Sequence, residues 1–174
     1  MVMLTMKHQT QHGISMRNNG DNMLFVRVSG ANQLRRNLGS IARNFDNFSK
    51  VFEKIADDFR RTQSAVFRSQ GAFEGRSAWS PLSPSTVLRK GNSTVLVETG
   101  ALKTSFTRKG GNHISQITKD RVILGSSDPK GKFHQSGTSK MVARPPLTAS
   151  NTTNRRWVRI AHKEIMKDIR RGLV

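Results

Sequence analysis

From Leu34 to Val66 the apolar positions fall at Leu34, Leu38, Ile41, Phe45, Phe48, Phe52, Ile55, Phe59 and Val66. The steps alternate four and three, and only Thr62 interrupts them. Side chains three and four apart share one face of a helix, so the pattern predicts a single long helix with one apolar stripe. Asn32 or Ser29 caps its start, Gly39 marks a kink, and Gly71, able to take the left-handed C′ conformation, ends it. Such a helix is roughly 50 Å long at about 1.5 Å per residue, whereas a compact chain of this size has a radius of gyration of about 16 Å. It therefore bends, or one end projects toward a partner. Burying the stripe from Leu34 to Phe59 contributes on the order of 12–24 kcal/mol before ordering entropy is subtracted. A sheet, another helix or a neighbouring subunit has to cover it. Packing inside one chain is favoured over a coiled coil, since the stripe's phenylalanines are bulky for such a seam and no second heptad helix is present.

The remaining pattern is shorter in period. Met23 to Val28 reads as a strand leading into the helix. Gly71 to Ser83 is a loop holding Trp79 and Pro81. Ser83-Pro84 is an N-cap followed by proline in the first turn, with a short helix over Ser85 to Arg89. Lys90 to Ser93 is a turn, Val95 to Thr99 is ambiguous, and Thr99 to Leu102 suits a single helical turn. Thr104–Arg108, His113–Thr118 and Arg121–Gly125 read as an antiparallel meander, with Lys109-Gly110-Gly111-Asn112 at one hairpin tip and Lys119-Asp120 at the other. Asp128 to Gly131 is a turn, and Arg144-Pro145-Pro146-Leu147 is extended, because a residue before proline is pushed out of the α region. At the end Asn154 caps a helix whose apolar face is Trp157, Ile160, Ala161, Ile165 and Ile169. Arg155, Arg156, Arg159, Lys163, Lys167, Arg170 and Arg171 line the rest of it, and Gly172 closes it. The fold class is α+β: a long N-terminal helix and a C-terminal helix packed on a small antiparallel β-sheet. Residues 1–22, rich in Gln, His, Asn and Gly, form a flexible arm before a single domain over 23–174.

Charge changes this picture more than length does. Thirty Lys and Arg against eleven Asp and Glu give +19 over 174 residues, and the segment from Ala101 to Val174 alone carries +12. That balance favours nucleic acid, an acidic protein surface or a membrane face as partner. No apolar run is long enough to cross a bilayer, and the N-terminus has no apolar signal core, so the expectation is an intracellular or intracellularly assembled protein without a membrane role. The chain has no Cys, which removes disulfide and thiolate chemistry.

Catalytic and metal chemistry find little to work with. His8 and His12 stand at helical spacing but lack the further ligands a closed metal site needs. His113, His134 and His162 pair with no nucleophile, and the carboxylates are scattered. Asp46, Glu53, Asp57 and Asp58 read as salt-bridging surface on the long helix. There is no HExxH, no phosphate-binding loop and no nucleophile elbow. No enzyme, cofactor or metal is expected. Without Tyr, and with Phe concentrated on the stripe, stacking platforms for single-stranded nucleic acid are absent as well.

Four segments occur in a fixed order: Gly75–Thr86 with W-x-P-L-S-x-x-T, Leu96–Ser105 with L-x-x-T-G-x-L-x-x-S, His134–Gly137 with H-Q-x-G, and Ala143–Leu147 with A-R-P-P-L. Together they resemble the phage virion morphogenesis or tail completion family, and more broadly the head–tail connector proteins of tailed phages. The chain departs from that pattern at Pro146, where an aromatic is common, and at Gly131-Lys132-Phe133, which replaces a usual Tyr-Ala. The resemblance implies a structural virion protein, a tail completion or neck subunit that assembles into a ring joining tail to head around the DNA channel. A hexamer is favoured over a dodecamer. Neighbouring neck, connector and tail-tube proteins are the implied partners, with possible non-specific contact with packaged DNA. The implied location is the neck or tail of a virion assembled in the host cytoplasm. Trp79, Leu82, Thr99, Gly100, Leu102, His134, Gln135 and Arg144 are the candidates for subunit contact or fold anchoring. Trp79 and Leu82 would hold the central loop, Thr99 and Gly100 would set a tight turn into the meander, and Arg144 would pin its loop to an acid. Arg155, Arg156, Arg159, Lys163, Arg170 and Arg171 are the candidates for facing DNA or an acidic neighbour. The competing reading is a basic module that binds DNA non-specifically.

Overall fold

A computed structural model describes residues 14–19, 23–28, 47–148 and 150–172, the first two of these stretches by their backbone. Among the described residues four strands and five helices run in the order β1 (Ile14–Asn19), β2 (Met23–Val28), α1 (Ser49–Arg68), α2 (Pro84–Lys90), α3 (Ala101–Thr107), β3 (His113–Ile117), β4 (Val122–Ser126), α4 (Pro129–Ser136) and α5 (Asn151–Gly172). The sheet is antiparallel throughout, in the order β1-β2-β4-β3. The expected α+β class, long helices on a small antiparallel sheet, is what the chain adopts. β1 falls in the stretch read as an arm and pairs with β2, Ile14 opposite Val28 and Asn19 opposite Met23.

The apolar stripe makes α1. Val51, Phe52, Ile55, Ala56, Phe59, Val66 and Phe67 are buried along it, and Phe48 is tied to the sheet's hairpin by its N–H to the Lys119 carbonyl at 2.9 Å. α1 lies over β3 and β4, and α5 lies along α1. The part of the stripe before Asn47, its caps at Ser29 and Asn32, the Gly39 kink and the carboxylate Asp46 lie outside the described residues, as do His8 and His12.

The helix ends earlier than Gly71. Its last residue is Arg68, and the left-handed C′ residue is Gln70, at φ 50°. Gly71 N–H reaches back to the Val66 carbonyl at 2.9 Å and Gln70 N–H to that of Phe67 at 3.3 Å, which is the paired closure of a Schellman ending. Gly71 is needed one position later, at φ 93°. There the buried Trp79 ring lies where a β-carbon would stand, 2.7–2.9 Å from the nearest ring atoms.

The meander is also corrected. Thr104 to Arg108 is not its first strand; Ala101–Thr107 is helix, started by Gly100 at φ 82°. Leu102, Ser105 and Phe106 are the residues it buries. Their three- and four-residue spacing is helical, and it outweighs a five-residue alternation too short to fix a strand. The hairpin of β3 and β4 stands as read, and β2 takes the place on the other side of β4. Val122 and Leu124 of β4 are wholly buried under the helices. Asp128 to Gly131 is no isolated turn either: Asp128 accepts from the Lys130 N–H at 2.9 Å and caps α4, which carries His134 and Gln135. The last helix starts before Asn154. Ser150 caps it, its hydroxyl accepting from the Thr153 N–H at 2.9 Å and its carbonyl from the Asn154 N–H at 2.9 Å. Its apolar face is the expected one, with Trp157 and Ile165 buried and Ile160, Ala161 and Ile169 packed beside them.

Candidate functional site

The loops between α1 and β3, and those on either side of α4, carry little regular structure. Side chains bonded to distant backbone hold them together instead. Trp79, edge-on to Phe67 at 5.4 Å, donates its indole N–H to the Pro145 carbonyl at 3.1 Å. Arg144 donates Nε to the Ser80 carbonyl at 2.7 Å and Nη2 to that of Pro81 at 2.8 Å. Its own N–H donates to the His134 carbonyl at 2.8 Å. Gln135 uses both ends of its amide on one residue, donating to the Leu147 carbonyl at 2.8 Å and accepting from the Leu147 N–H at 3.2 Å. Arg76 donates to the Thr148 hydroxyl. Residues more than sixty positions apart are thus joined at Trp79–Pro145 and Arg144–Ser80.

Arg144 therefore pins its loop to carbonyls and not to an acid. The planar guanidinium presents forked donors, which suit two adjacent carbonyls as well as a carboxylate. Thr99 and Gly100 feed a helix: the Thr99 hydroxyl accepts from the Ala101 N–H at 3.4 Å, and Gly100 stands at its N-cap.

Around these ties runs an open groove of about 450 Å³. Leu82, Thr99, Gly100, Leu102, His134 and Arg144 all line it, so six of the eight anchoring candidates meet in one place. Trp79 and Gln135 lie behind it as supports. The groove also takes in charged residues that the sequence reading passed over: Arg89, Lys90, Lys130, Lys140 and Glu98. Glu98 is exposed and pairs with Arg89 at 2.7 Å. That hydrogen bond and the Arg89 charge hold its carboxyl below the usual range. His134 is held below the usual histidine range, first by burial and then by the Arg144 charge, so its neutral form is favoured.

The second set of candidates divides. Arg155, Arg159, Lys163 and Arg170 are exposed on α5 and make no ion pair among the described residues. The side chain of Arg171 lies outside the described residues. Arg156 is a correction, because it turns inward. Its Nε donates to both oxygens of Asp58, at 3.0 and 2.9 Å, Nη1 to Glu74, and Nη2 to the Thr62 hydroxyl at 2.7 Å. Trp157 donates its indole N–H to the same Asp58 at 2.8 Å, and the Ser150 and Thr153 hydroxyls donate to Glu74. Burial pushes Glu74 up, but the bonds from Ser150, Thr153 and Arg156 together outweigh it and hold the carboxyl below its usual range. Burial likewise pulls Arg156 down, and its bonds to Glu74 and Asp58 raise it above its ordinary value. The one gap in the apolar stripe, Thr62, marked this node: a polar residue on a buried face needs a polar partner. Asp58 thus belongs to the α1–α5 contact, while its neighbour Asp57 forms the expected ion pair with Arg60, whose side chain is mostly buried.

No cluster of metal-ligating side chains occurs among the described residues, and no helix among them is long and apolar enough to cross a membrane. The chain belongs to the phage virion morphogenesis family, whose model matches residues 30–171. That match covers the long helix, all four motif segments and α5, and it gives the protein a role in building a phage virion. No curated protein and no solved structure matches the chain.

Proposed function

We propose that the protein is a tail completion or neck subunit at the head–tail junction, and that it closes into a ring, a hexamer, around the DNA channel. One observation carries this reading. α2 is a well-made helix, capped by the Ser83 hydroxyl at one end and by left-handed Gly91 at the other, yet it buries none of its residues. Leu88 on it is 86% exposed, and Val142 and Phe133 on nearby segments are also exposed. A lone exposed leucine is ordinary. A capped helix that buries none of its residues, and bears the most exposed large apolar side chain among the described residues, suits a contact that forms between copies. In a ring each subunit offers one face and receives another, so such contacts close on themselves.

The alternative, a DNA-binding module, is favoured by one feature, the exposed cations Arg155, Arg159, Lys163 and Arg170 on α5. In a ring the same row would face the channel and contact phosphates without reading sequence. Light scattering behind a sizing column, at low and high salt and with and without duplex DNA, separates the two readings. The ring reading expects a discrete multimer that survives salt and forms without DNA. A monomer that binds duplex tightly and releases it steeply as salt rises would replace that reading with the DNA-binding one.

A further inference from the structure

We propose that the groove between α2, the Leu96–Leu102 wall and α4 is the seat of an acidic, leucine-bearing segment of a neighbouring virion protein. The inference rests on the assembly reading above and names the partner chemistry at a surface separate from Leu88.

The groove's lining combines two features. Its floor is apolar, with Leu82, Leu96, Leu102 and Met141. Leu96 reaches it from left-handed backbone at φ 57°, a conformation a non-glycine residue holds only where its surroundings fix it. Its rim is basic, with Arg89, Lys90, Lys130, Lys140 and Arg144 against the single carboxylate Glu98. Glu98 is already taken by Arg89. Arg144 and Lys90 are bonded to uncharged carbonyls, which use their donors and leave their charge uncompensated. Lys130 and Lys140 are exposed and form no ion pair among the described residues. Cations gathered around a concave apolar floor set up a field that favours an anionic occupant with apolar side chains. The volume, about 450 Å³, suits a few side chains of a peptide.

A second copy of this chain is a poor occupant. It carries +19, and adjacent carboxylates occur in it once, at Asp57-Asp58. Both of these are engaged, by Arg60 and by Arg156. Nucleic acid matches the rim but not the floor, because a phosphate backbone brings no aliphatic groups to bury. The exposed row on α5 is the better phosphate surface.

The test uses the full chain and fluorescence anisotropy. The probe is a labelled twelve-residue peptide with five glutamates and four leucines. Its comparisons are one peptide with glutamine for each glutamate and one with serine for each leucine. The acidic leucine peptide binds, and each comparison peptide binds about tenfold more weakly. Lys130→Glu with Lys140→Glu loses at least about tenfold, while Arg155→Glu with Arg159→Glu on α5 stays within about twofold. Four outcomes overturn the proposal: no binding of the acidic peptide, equal binding of the serine version, equal loss from the α5 pair, or displacement of the peptide by duplex DNA at matched charge. Light scattering on the same samples keeps the two readings apart. A multimer that ignores the peptide overturns the groove assignment alone, and a monomer that binds it overturns self-assembly and leaves the groove assignment standing.

Discussion

Gly71 and Arg156 show how much of this fold depends on single positions. At Gly71 the Trp79 ring occupies the place of a β-carbon, and the backbone stands at φ 93°. Gly71→Ala has to move a buried indole that is also bonded to Pro145, and it adds left-handed strain. We expect a loss of about 2–4 kcal/mol, read as a lower denaturant midpoint with unchanged slope. Arg156 is the opposite case, a partly buried cation facing two carboxylates. Arg156→Met alone leaves Asp58 and Glu74 without their counter-ion and should cost about 3 kcal/mol. Adding Asp58→Asn and Glu74→Gln should recover part of that loss, because the remaining groups are neutral and still bonded to Trp157, Ser150 and Thr153. If the triple variant is less stable than the single one, charge pairing is not what the node supplies. Helical spacing alone groups Arg156 with the outward cations, because it cannot tell which flank of α5 meets Asp58. The clue lay elsewhere, in Thr62 on an otherwise apolar stripe.

At the scale of elements, the long period was legible and the short ones were not. α1 and α5 follow from runs of apolar residues that repeat a period several times, while the short β3–β4 hairpin was legible from its two turn signals, at Gly110-Gly111 and Lys119-Asp120. α3 has room for barely two turns, and its Thr and Ser content disguised it as a strand. α4 is polar nearly throughout, with Gly131 its one buried residue, so no stripe announced it. The groove was visible only as four motif segments in order; that they converge depends on side-chain-to-backbone bonds, which leave no periodic trace. α2 was read correctly from its Ser-Pro start, and it bears the clearest test of assembly. Leu88→Glu should leave the melting temperature of the isolated subunit within about 1–2 °C, since surface changes of this kind stay within about 0.5 kcal/mol. The multimer that the ring reading expects in light scattering should be lost. An unchanged multimer would show that α2 is not the contact.

For the molecule as a whole, acid should be the destabilising direction, in two stages. His113 is held below the usual histidine range by burial first, with Arg60 and Lys109 adding to it and the Ser105 carbonyl opposing. His134 is lowered in the same sense. A lowered folded pKa means that the unfolded chain takes up the proton first. The stability is complete above the unfolded histidine value of about 6.5 and is lost as pH falls toward the folded values. Glu74, also lowered, adds a second loss below the ordinary carboxylate range. Thermal melts from pH 7 to pH 5 should show a falling midpoint in the native chain. The variant with His113→Gln and His134→Gln should be nearly flat over that interval and still fall below it. A native chain equally stable at both pH values would show that neither imidazole is protected from protonation.

The placement of α5 carries one more consequence. Asp58 and Arg156 are separated by 98 positions, and Trp157 covers α1 from the same late segment. On a ribosome the stripe of α1 is made early and its lid late. A polypeptide whose translation halts before Asn151 leaves the side of α1 that faces α5 uncovered, and Asp58 and Glu74 without Arg156, which favours capture by chaperones and proteases. The contact between α1 and α5 therefore closes only after the chain has been made through α5.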